Sequence, residues 1–537
     1  MESSEKVTIK FLPDGIEATA PKGRMLFDVA ASAGVKIDRH CGGAGVCGKC
    51  RVMVKDKDIL GQITETEKNF FSSDEVEAGI RLSCCSAVQK SGTVYVVDRA
   101  ASDGHRILEG FSGSISEWRP DSAGYGISVD IGTTTVVCCL YDLNEHKETD
   151  KISFLNPQVT FGDDVISRIA YSSSEQGALE RIQKIITDDM NKAVGTLVHR
   201  NGIKRCAVTE IVIAANTVME HLFVGVSPES IGRSPYAPAF SLYPPFKASQ
   251  IGIEISENGT IKMLPNVAGY VGADIVAGVA ALDIDASNEI RLLVDIGTNN
   301  EIVIGNAQAL YCCATAAGPA LEGARIQYGM RASLGAIEKV TFKDGQLCCE
   351  TIGDVPPTGL CGSGLIDAVA LLVNTGVINK GGRFEYPEKC TDTRFKDRLG
   401  RNKNGMVQLL LTDEENPVYL TQKDIREVQL AVSAVKVGVE VMLEKAGITT
   451  EEVSEVCLAG AFGNHINIES AVRVGLIPDV DSTKIRGVSN TSGLGASMAL
   501  ASVDFYERTK KTAAKMSYIE LSSLSDFQDR FIKAMTF

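Results

Sequence analysis

The chain has 537 residues, of which 44% are hydrophobic and 23% are charged; this balance is typical of a folded protein, and the length predicts about three domains. The formal net charge of -14 argues against nucleic-acid binding, because phosphate backbones are bound by a surplus of Lys and Arg. No apolar run approaches the ~18 residues of a membrane span, and the opening segment MESSEKVTIK lacks the apolar core of a secretory signal. We therefore expect a cytoplasmic protein whose partners are proteins and small molecules, with no membrane and no nucleic acid among them.

The N-terminal segments predict a small mixed sheet. KVTIKFL and IEATAP have the composition of two strands joined by the turn Pro13-Asp14-Gly15, and MLFDVAASAG follows as a helix that ends at Gly34. This is the element order of a β-grasp domain, which we place at residues 1–98.

The cysteines predict a metal cluster in this domain. Fifteen cysteines in a chain expected in the cytosol are interpreted as metal ligands and buried apolar residues, because disulfides are rare there. Cys41, Cys47 and Cys50 are spaced as C-x5-C-x2-C in RHCGGAGVCGKC, and Cys84 follows in RLSCC. Four thiolates can hold a [2Fe-2S] cluster, and the glycines of the loop allow it to wrap closely. A structural zinc site is the alternative, although zinc more often uses two spaced cysteine pairs.

Residues 1–98 resemble ferredoxins of the plant and adrenodoxin types, and the spacing and the RLxC context are closer to the adrenodoxin side. The resemblance implies Cys41, Cys47, Cys50 and Cys84 as cluster ligands. Cys85 departs from those relatives, so the fourth ligand is either Cys84 or Cys85, and the RLxC match favours Cys84.

An internal duplication follows a Gly, Ser and Pro-containing linker at residues 99–124. YGISVDIGTTTVVCCLYD at 125–142 is echoed by RLLVDIGTNNEIVIGN at 291–306. In each copy an apolar strand ends in Asp-Ile-Gly-Thr, and a polar turn that can offer N–H groups and hydroxyls to phosphate leads into another strand. We expect a first half at 125–290, a second half at 291–510 and a tail at 511–537.

The two turns predict a shared site for a nucleoside triphosphate and Mg2+. Asp130 and Asp295 would hold Mg2+ mainly through water, because this ion gives up its hydration shell reluctantly. One such turn is more often only a hairpin, whereas two copies in matching strand contexts favour nucleotide binding.

The pattern resembles the superfamily of acetate and sugar kinases, heat-shock chaperones and actin. The resemblance implies an α/β multidomain fold in which two ribonuclease-H-like halves close over ATP. The looser adenosine motif is AGAFGNHIN at 459–467, with Gly460 and Gly463. The implied phosphate-binding residues are Asp130, Gly132, Thr133 and Thr134 in the first turn, and Asp295, Gly297, Thr298 and Asn299 in the second.

The remaining candidate residues have both a catalytic and a structural interpretation. Glu322 in GPALEGA and Asp274 in VGADIV could orient the attacking water or hold the start of a helix. The small-residue segments 269–282 and 359–372 are either hinge helices with a ligand-approach role or sites of close packing. For His221, inside a helix-like run, we expect a buried and hydrogen-bonded role.

A ferredoxin joined to such an ATPase resembles the reductive activators of corrinoid enzymes, including those of O-demethylases and of the corrinoid iron-sulfur protein. The resemblance is carried by NPQVTFGDDVISRI, AANTVMEHLFVG, AAGPALEGARIQYGMRA and AGAFGNHIN. It implies ATP-dependent transfer of one electron from the [2Fe-2S] cluster to the Co(II) corrinoid protein of a methyltransferase system, which restores Co(I), and it implies a homodimer with an electron donor that the sequence does not identify. The alternatives are a ferredoxin-fused kinase for a small acid or sugar, and a nucleotide-binding redox sensor.

Overall fold

The structure is a computed structural model that describes residues 5–35, 37, 45, 48–97, 115, 118, 123–162, 164–297, 299–323, 325–343, 345–463 and 465–537. The chain divides into two units, one from Met1–Gly104 and Leu155–Ile186 and the other from His105–Phe154 and Thr187–Phe537. Among the helices of the described ranges, none combines the length and the apolar character that a membrane crossing requires.

The first unit contains a five-stranded β-grasp sheet. Its elements are β1 (Lys6–Leu12), β2 (Ile16–Pro21), α1 (Leu26–Ser32), β3 (Arg51–Val54), α2 (Glu65–Lys68), α3 (Ser73–Glu77), β4 (Ile80–Leu82) and β5 (Gly92–Val96). The strand order is β2-β1-β5-β3-β4; β1 and β5 are parallel, and the other neighbours are antiparallel. The predicted hairpin and helix are confirmed, and Gly15 and Gly34 adopt φ of 71° and 75° where each element ends.

Alternation of side chains explains the core of this sheet. Val7, Ile9 and Phe11 of β1 are buried while their neighbours reach the surface, as expected for a strand with one face on a core. Leu26 and Phe27 of α1 cover that face. Each such side chain contributes roughly 1.5–3 kcal/mol when it is fully buried.

Two helices lie between residues 165 and 200. They are α4 (Val165–Ser172) in the first unit and α5 (Ala178–Arg200), which begins there and continues into the second. Asp164 and Ser167 form a capping box that begins α4. Arg168 is fully buried, and its Nε donates to the Gly162 carbonyl at 2.7 Å.

The second unit contains two six-stranded sheets. The first is made of β6 (Tyr125–Ile131), β7 (Thr135–Asp142), β8 (Lys147–Leu155), β9 (Val208–Ala215), β10 (Phe246–Lys247) and β11 (Thr260–Met263), in the order β10-β11-β9-β6-β7-β8. The later strands are β12 (Arg291–Ile296), β13 (Asn300–Gly305), β14 (Leu310–Thr315), β15 (Ala336–Lys343), β16 (Gln346–Thr351), β17 (Gly359–Leu360), β18 (Leu399–Arg401), β19 (Val407–Leu410), β20 (Tyr419–Thr421), β21 (Glu455–Ala459), β22 (Ile485–Ser489) and β23 (Met516–Tyr518).

The second large sheet repeats the topology of the first. Its order is β22-β21-β12-β13-β14-β23. In each sheet three consecutive strands lie side by side, and two later strands add in parallel next to the first of them. The predicted duplication of ribonuclease-H-like halves is thereby confirmed. Two three-stranded sheets, β16-β15-β17 and β18-β19-β20, accompany the second half.

The helices of the second unit complete the layers. They are α6 (Thr217–Val224), α7 (Ala273–Ala281), α8 (Gly362–Asn374), α9 (Gln422–Ala446), α10 (Gly460–Gly463), α11 (Ile468–Val474), α12 (Thr491–Ala501), α13 (Val503–Lys515) and α14 (Phe527–Ala534). The longest, α9, begins with a capping box of Thr421 and Asp424 and ends at Gly447 with φ of 68°. Its apolar side packs on β13 and β14.

Glycines in the two small-residue segments serve close packing. At Gly278 of α7 a Cβ would lie 2.6 Å from the Thr491 hydroxyl of α12, and at Gly364 of α8 a Cβ would lie 2.3 Å from the Ile337 carbonyl. At Gly495 of α12 a Cβ would lie 2.5 Å from the Ala277 carbonyl. The helices α7 and α12 therefore cross at a distance that only glycine permits, which favours the packing interpretation of these segments.

Candidate functional site

The antiparallel pair β3 and β4 brings two cluster cysteines together. Cys50 precedes β3 and Cys84 follows β4, and the register aligns Arg51 with Leu82. The two Sγ atoms lie 3.2 Å apart, and Cys50 is buried. Gly45 and Gly48 of the same loop adopt φ of 71° and 69°, which an L side chain rarely accepts.

The residues present fit an iron-sulfur cluster. The hydrogen bond from Cys50, together with burial, raises the pKa of the Cys84 thiol, and a bound metal would offset that cost by taking the thiolate as a ligand. Cys41 and Cys47, the other two predicted ligands, lie outside the described residues. Cys85 lies 3.7 Å from Cys84 (Sγ to Sγ) and against Gly45, where a Cβ would approach its Sγ to 3.1 Å. Because Cys84 lies directly beside Cys50, this geometry favours Cys84 as the fourth ligand.

A buried ion pair fixes the segment that leads to Cys84. Glu67 is fully buried and accepts from Arg81 Nε at 2.9 Å and Nη2 at 3.0 Å. It also accepts from the Leu82 amide at 3.0 Å and from the Ser86 hydroxyl at 3.1 Å. Burial would raise the pKa of Glu67, but the hydrogen bonds, first among them that of Arg81, hold it below its usual value. The pair was not recognised in the sequence analysis, since Glu67 and Arg81 are 14 residues apart.

The two predicted phosphate turns lie at the ends of β6 and β12, the central strands of the two large sheets. The first phosphate turn (132–134) is closed by the Gly132 amide, which donates to the Thr135 carbonyl at 2.9 Å. The second phosphate turn (297–299) is closed differently, since the Gly297 amide donates to the side-chain Oδ1 of Asn300 at 3.1 Å. Asn299 is part of this turn, and Thr298 lies outside the described residues.

Side chains from other elements reach the first phosphate turn. Asn216 caps α6 and donates from Nδ2 to the Thr133 hydroxyl at 3.0 Å. The Thr134 hydroxyl donates to Glu322 Oε2 at 3.4 Å. The structure therefore brings Glu322, from the second half, to the first phosphate turn. Asn216 stands in the segment AANTVMEHLFVG, but a role in shaping the turn was not predicted.

An acidic cluster lies between the two turns. It contains three predicted residues, Asp130, Asp274 and Asp295, and one that was missed, Glu301. Asp295 and Glu301 face each other in the register of β12 and β13, an arrangement of like charges that is unfavourable without a proton or a cation. Asp274 lies in the first turn of α7, where its Oδ1 accepts from the Ile275 amide at 2.8 Å.

The pKa values of these carboxyls reflect their crowding. Burial, with the Asp130 carboxylate as the second cause, raises the pKa of Asp295 to about 7. Burial and then the carboxylates of Asp295 and Asp130 raise the pKa of Asp274. Burial and the carboxylates of Asp274 and Asp295 raise the pKa of Glu301 well above its usual value. The donors are all carboxyl oxygens, the ligand type that Mg2+ prefers, and they could meet the ion through its water shell.

Asp130 is the carboxylate of this cluster with the most defined surroundings. Its Oδ2 accepts from Asn490 Nδ2 at 2.8 Å, and its Oδ1 accepts from the Ser492 hydroxyl at 2.7 Å. Burial raises the pKa of Asp130, and these two hydrogen bonds partly offset the increase. The sequence analysis missed Asn490 and Ser492; the available signal was an Asn-capped, small-residue helix start in SNTSGLGAS.

The predicted adenosine loop lies beside the second phosphate turn. Gly460 follows β21, which is parallel to β12, and adopts φ of 85°. A Cβ there would lie 2.6 Å from Asp295 Oδ1 and 2.5 Å from the Ile296 carbonyl. At Gly463 a Cβ would lie 2.6 Å from the Leu458 carbonyl. The loop thus approaches the phosphate site as closely as glycine permits.

His221 has the structural role expected for it. Its Nε2 accepts from the Ala239 amide at 3.0 Å, so Nδ1 carries the proton and donates to the Thr217 carbonyl at 2.7 Å. Burial lowers the pKa of His221. Both ring nitrogens are occupied, which leaves neither for a metal.

The β-grasp domain with its paired thiols, followed by two ribonuclease-H-like halves with their phosphate turns, defines a ferredoxin-fused, ATP-dependent enzyme. Family models agree with this class. They match the 2Fe-2S iron-sulfur cluster binding domain at residues 9–89, the RACo middle region at 125–287, and the C-terminal domain of RACo, the ASKHA domain, at 289–537.

Individual relatives extend over nearly the whole chain. The corrinoid activation enzyme RamQ of Eubacterium limosum is 32% identical over 570 residues, covering 95% of each chain. A Co(II) methylated amine-specific corrinoid protein reductase of Methanosarcina barkeri is 24% identical over 406 residues, covering 68% of each. Among solved structures, a reductive activator for corrinoid, iron-sulfur protein has a TM-score of 0.69 at 30% identity and covers 99% of this chain and 98% of that one. The chain belongs to the family of corrinoid reductive activators.

Proposed function

We propose that this protein uses ATP to reduce the Co(II) of a corrinoid protein to Co(I) by one electron, which returns the corrinoid to methyl transfer. The observation that carries the proposal is the combination, in one chain, of the Cys50–Cys84 thiol pair with an acidic cluster next to two phosphate turns. The 32% identity to a corrinoid activation enzyme, over an alignment that covers 95% of the chain, supports the same function.

Cys50 and Cys84, with Cys41 and Cys47, are the proposed ligands of a [2Fe-2S] cluster. When bound, the cluster supplies one-electron chemistry. The Glu67–Arg81 pair holds the segment that carries Cys84 through hydrogen bonds to the Leu82 amide and the Ser86 hydroxyl.

The acidic cluster, the two phosphate turns and the adjacent adenosine loop are the proposed nucleotide site. The Gly132 and Gly297 turns present backbone to phosphate, while Asp130 and Asp295 supply charge for Mg2+ through its water shell. The loop of Gly460 and Gly463, which packs beside the second phosphate turn, is the proposed position of the nucleoside. Asp274 and Glu322 are the proposed groups for orienting water; Glu322 fits because its carboxylate reaches the first phosphate turn at Thr134.

ATP is needed because the electron moves to a centre of lower potential. If nucleotide-driven closure made the protein bind one corrinoid state ~10⁴-fold better than the other, the difference of about 5.5 kcal/mol would shift a one-electron potential by about 0.24 V. Closure of the two halves changes either the ligation of the partner's cobalt or this protein's own affinity for the corrinoid protein. No group becomes phosphorylated.

We propose three further properties. The family resemblance suggests a homodimer, the composition and the opening segment favour a cytoplasmic location, and a separate electron donor, not identified by the sequence, reloads the ferredoxin domain. Size-exclusion chromatography with light scattering tests the first of these.

The decisive experiment is anaerobic. Reduced, cluster-loaded protein is mixed with the Co(II) corrinoid component of a methyltransferase system, and the visible spectrum is followed with ATP, without ATP, and with a non-hydrolysable analogue. Formation of Co(I) only with ATP supports the proposal. Reduction that is equally fast without nucleotide contradicts it. A phosphorylated small molecule as the product would instead indicate a kinase.

A further inference from the structure

The start of α12 contacts both oxygens of Asp130. Asn490 and Ser492 supply these two donors, although they are 360 and 362 residues away from Asp130 in the sequence. The carboxylate at the first phosphate turn is therefore held by the C-terminal part of the chain.

Local geometry fixes the two donors. Asn490 Oδ1 accepts from the Gly493 amide at 2.7 Å, which begins α12 and directs Nδ2 toward Asp130. A Cβ at Gly493 would lie 3.0 Å from that Nδ2, so a side chain here would press on the amide. Ser492 is only 6% exposed, so bulk water does not compete with Asp130 for its hydroxyl.

Both donors are neutral. A Lys or Arg in their place would cancel the negative charge of Asp130, whereas an amide and a hydroxyl orient it and leave its charge available. Each carboxylate oxygen has two acceptor positions, and each of these donors uses one. One position per oxygen is left for water on a cation.

We propose that Asn490 and Ser492 are positioning residues that orient Asp130 toward the Mg2+ of a bound nucleotide. The assignment rests on the proposed function, because it takes the acidic cluster and the two phosphate turns as the site of Mg-ATP. It adds a link between Mg-nucleotide at this site and α12, the helix that crosses α7 at Gly278 and Gly495.

Ser497 provides a matched control on the same helix. It is fully buried, its hydroxyl is 2.8 Å from that of Ser128, and it donates to the Gly493 carbonyl at 2.8 Å. S497A removes the same chemical group as S492A, but from hydrogen bonds that do not involve Asp130.

The experiment measures binding of a non-hydrolysable ATP analogue to the full, cluster-loaded chain by calorimetry, in excess Mg2+ and in EDTA. For S492A we expect roughly tenfold weaker binding in Mg2+, the loss of one hydrogen bond to a charged group, and unchanged binding in EDTA. S492T, which keeps the hydroxyl, should restore the wild-type ratio of the affinity in Mg2+ to the affinity in EDTA. S497A should lower the melting temperature while leaving the ratio of the two affinities unchanged.

A double-mutant cycle separates positioning from general damage. In a D130N background S492A should have no further effect on Mg2+-dependent binding. The assignment is overturned if S492A and S497A change the two affinities alike, or if S492A retains its effect in D130N. If the wild-type protein binds the analogue equally in Mg2+ and EDTA, the proposed function fails at this site, and the assignment fails with it.

Discussion

Glu220 offers a sharp test because it is a carboxyl that must be neutral to satisfy its neighbours. It lies on α6 with no exposed surface, and its Oε2 accepts from Asn266 Nδ2 at 2.8 Å. Glu220 Oε1 and Asn266 Oδ1 are both buried acceptors without a donor. A proton on Glu220 Oε1 would complete a cyclic acid–amide pair, and burial raises the pKa of Glu220 well above its usual value.

The substitution E220Q mimics the protonated state, and E220A removes it. The Gln amide can accept from Asn266 Nδ2 and donate to Asn266 Oδ1, at the cost of one unpaired hydrogen, so we expect a change within about 1 kcal/mol below pH 4.5, where wild-type Glu220 is protonated in both the folded and the unfolded state. E220A leaves both polar atoms of the Asn266 amide without this partner and opens a cavity, for a loss on the order of 3–5 kcal/mol.

The pH dependence distinguishes a neutral from an ionised Glu220. Its folded pKa is raised above the usual 4.5, so its stabilising contribution is complete below that value and is lost as the pH rises through the folded pKa. Between these limits the wild-type unfolding free energy should fall by up to about 1.4 kcal/mol per pH unit because of this group. E220Q lacks this loss, and its advantage over wild type should grow with pH.

Tryptophan fluorescence during urea unfolding reports on the first half, which contains Glu220. Trp118 is the single tryptophan of the chain, and its ring lies 5.9 Å from that of Tyr141 in the core of the first half. If E220Q is as destabilising as E220A, or if its difference from wild type is constant from pH 5 to 8, Glu220 is ionised and the acid–amide pair is wrong.

Three other predictions concern the ferredoxin domain and the acidic cluster. C84S should abolish the visible absorbance and iron content of the purified protein while C85S retains both, because Cys84 is the neighbour of Cys50 at 3.2 Å; the reverse result would make Cys85 the ligand. E67A should destabilise the ferredoxin domain by about 3–5 kcal/mol, since it leaves the buried Arg81 guanidinium without its counter-ion, and a denaturation midpoint of the cluster absorbance equal to that of wild type would contradict this. E301Q removes a carboxyl that, opposite Asp295, must either be buried with its charge or take up a proton on folding, so the nucleotide-free protein should gain about 1 kcal/mol near neutral pH while the rise in melting temperature on adding Mg-ATP shrinks; a lower melting temperature without nucleotide would refute this argument.

The sequence was sufficient for features that repeat or are local. The two phosphate turns were found because Asp-Ile-Gly-Thr recurs between apolar strands, and the β-grasp hairpin because Gly15 follows Pro13-Asp14. Glu301 was missed because its relation to Asp295 depends on register: Ile131 pairs with Val136 across the first turn, whereas Ile296 pairs with Asn300 across a turn one residue shorter.

Contacts between distant segments were beyond the sequence for a physical reason. The donors to Asp130 come from a helix start whose local pattern signals only an N-cap, and the partner of that helix is set by the packing of α12 on the first sheet. Asn216 was within a segment already singled out, but its reach to Thr133 depends on where β9 places the start of α6.

The packing of α12 has a consequence for synthesis on the ribosome. Ala496, Ala499 and Leu500 share a core with Tyr141 and Val212 of the first sheet, so a layer of the first half is encoded in residues 491–501. The strands of that sheet are all translated by Met263, but the part of their apolar face that α12 covers stays open while more than two hundred further residues are added. At roughly 5–20 residues per second this interval lasts on the order of ten seconds or more. We therefore expect the nascent first half to expose apolar surface of the kind that chaperones bind, and chains truncated before α12 should aggregate rather than accumulate as a folded half.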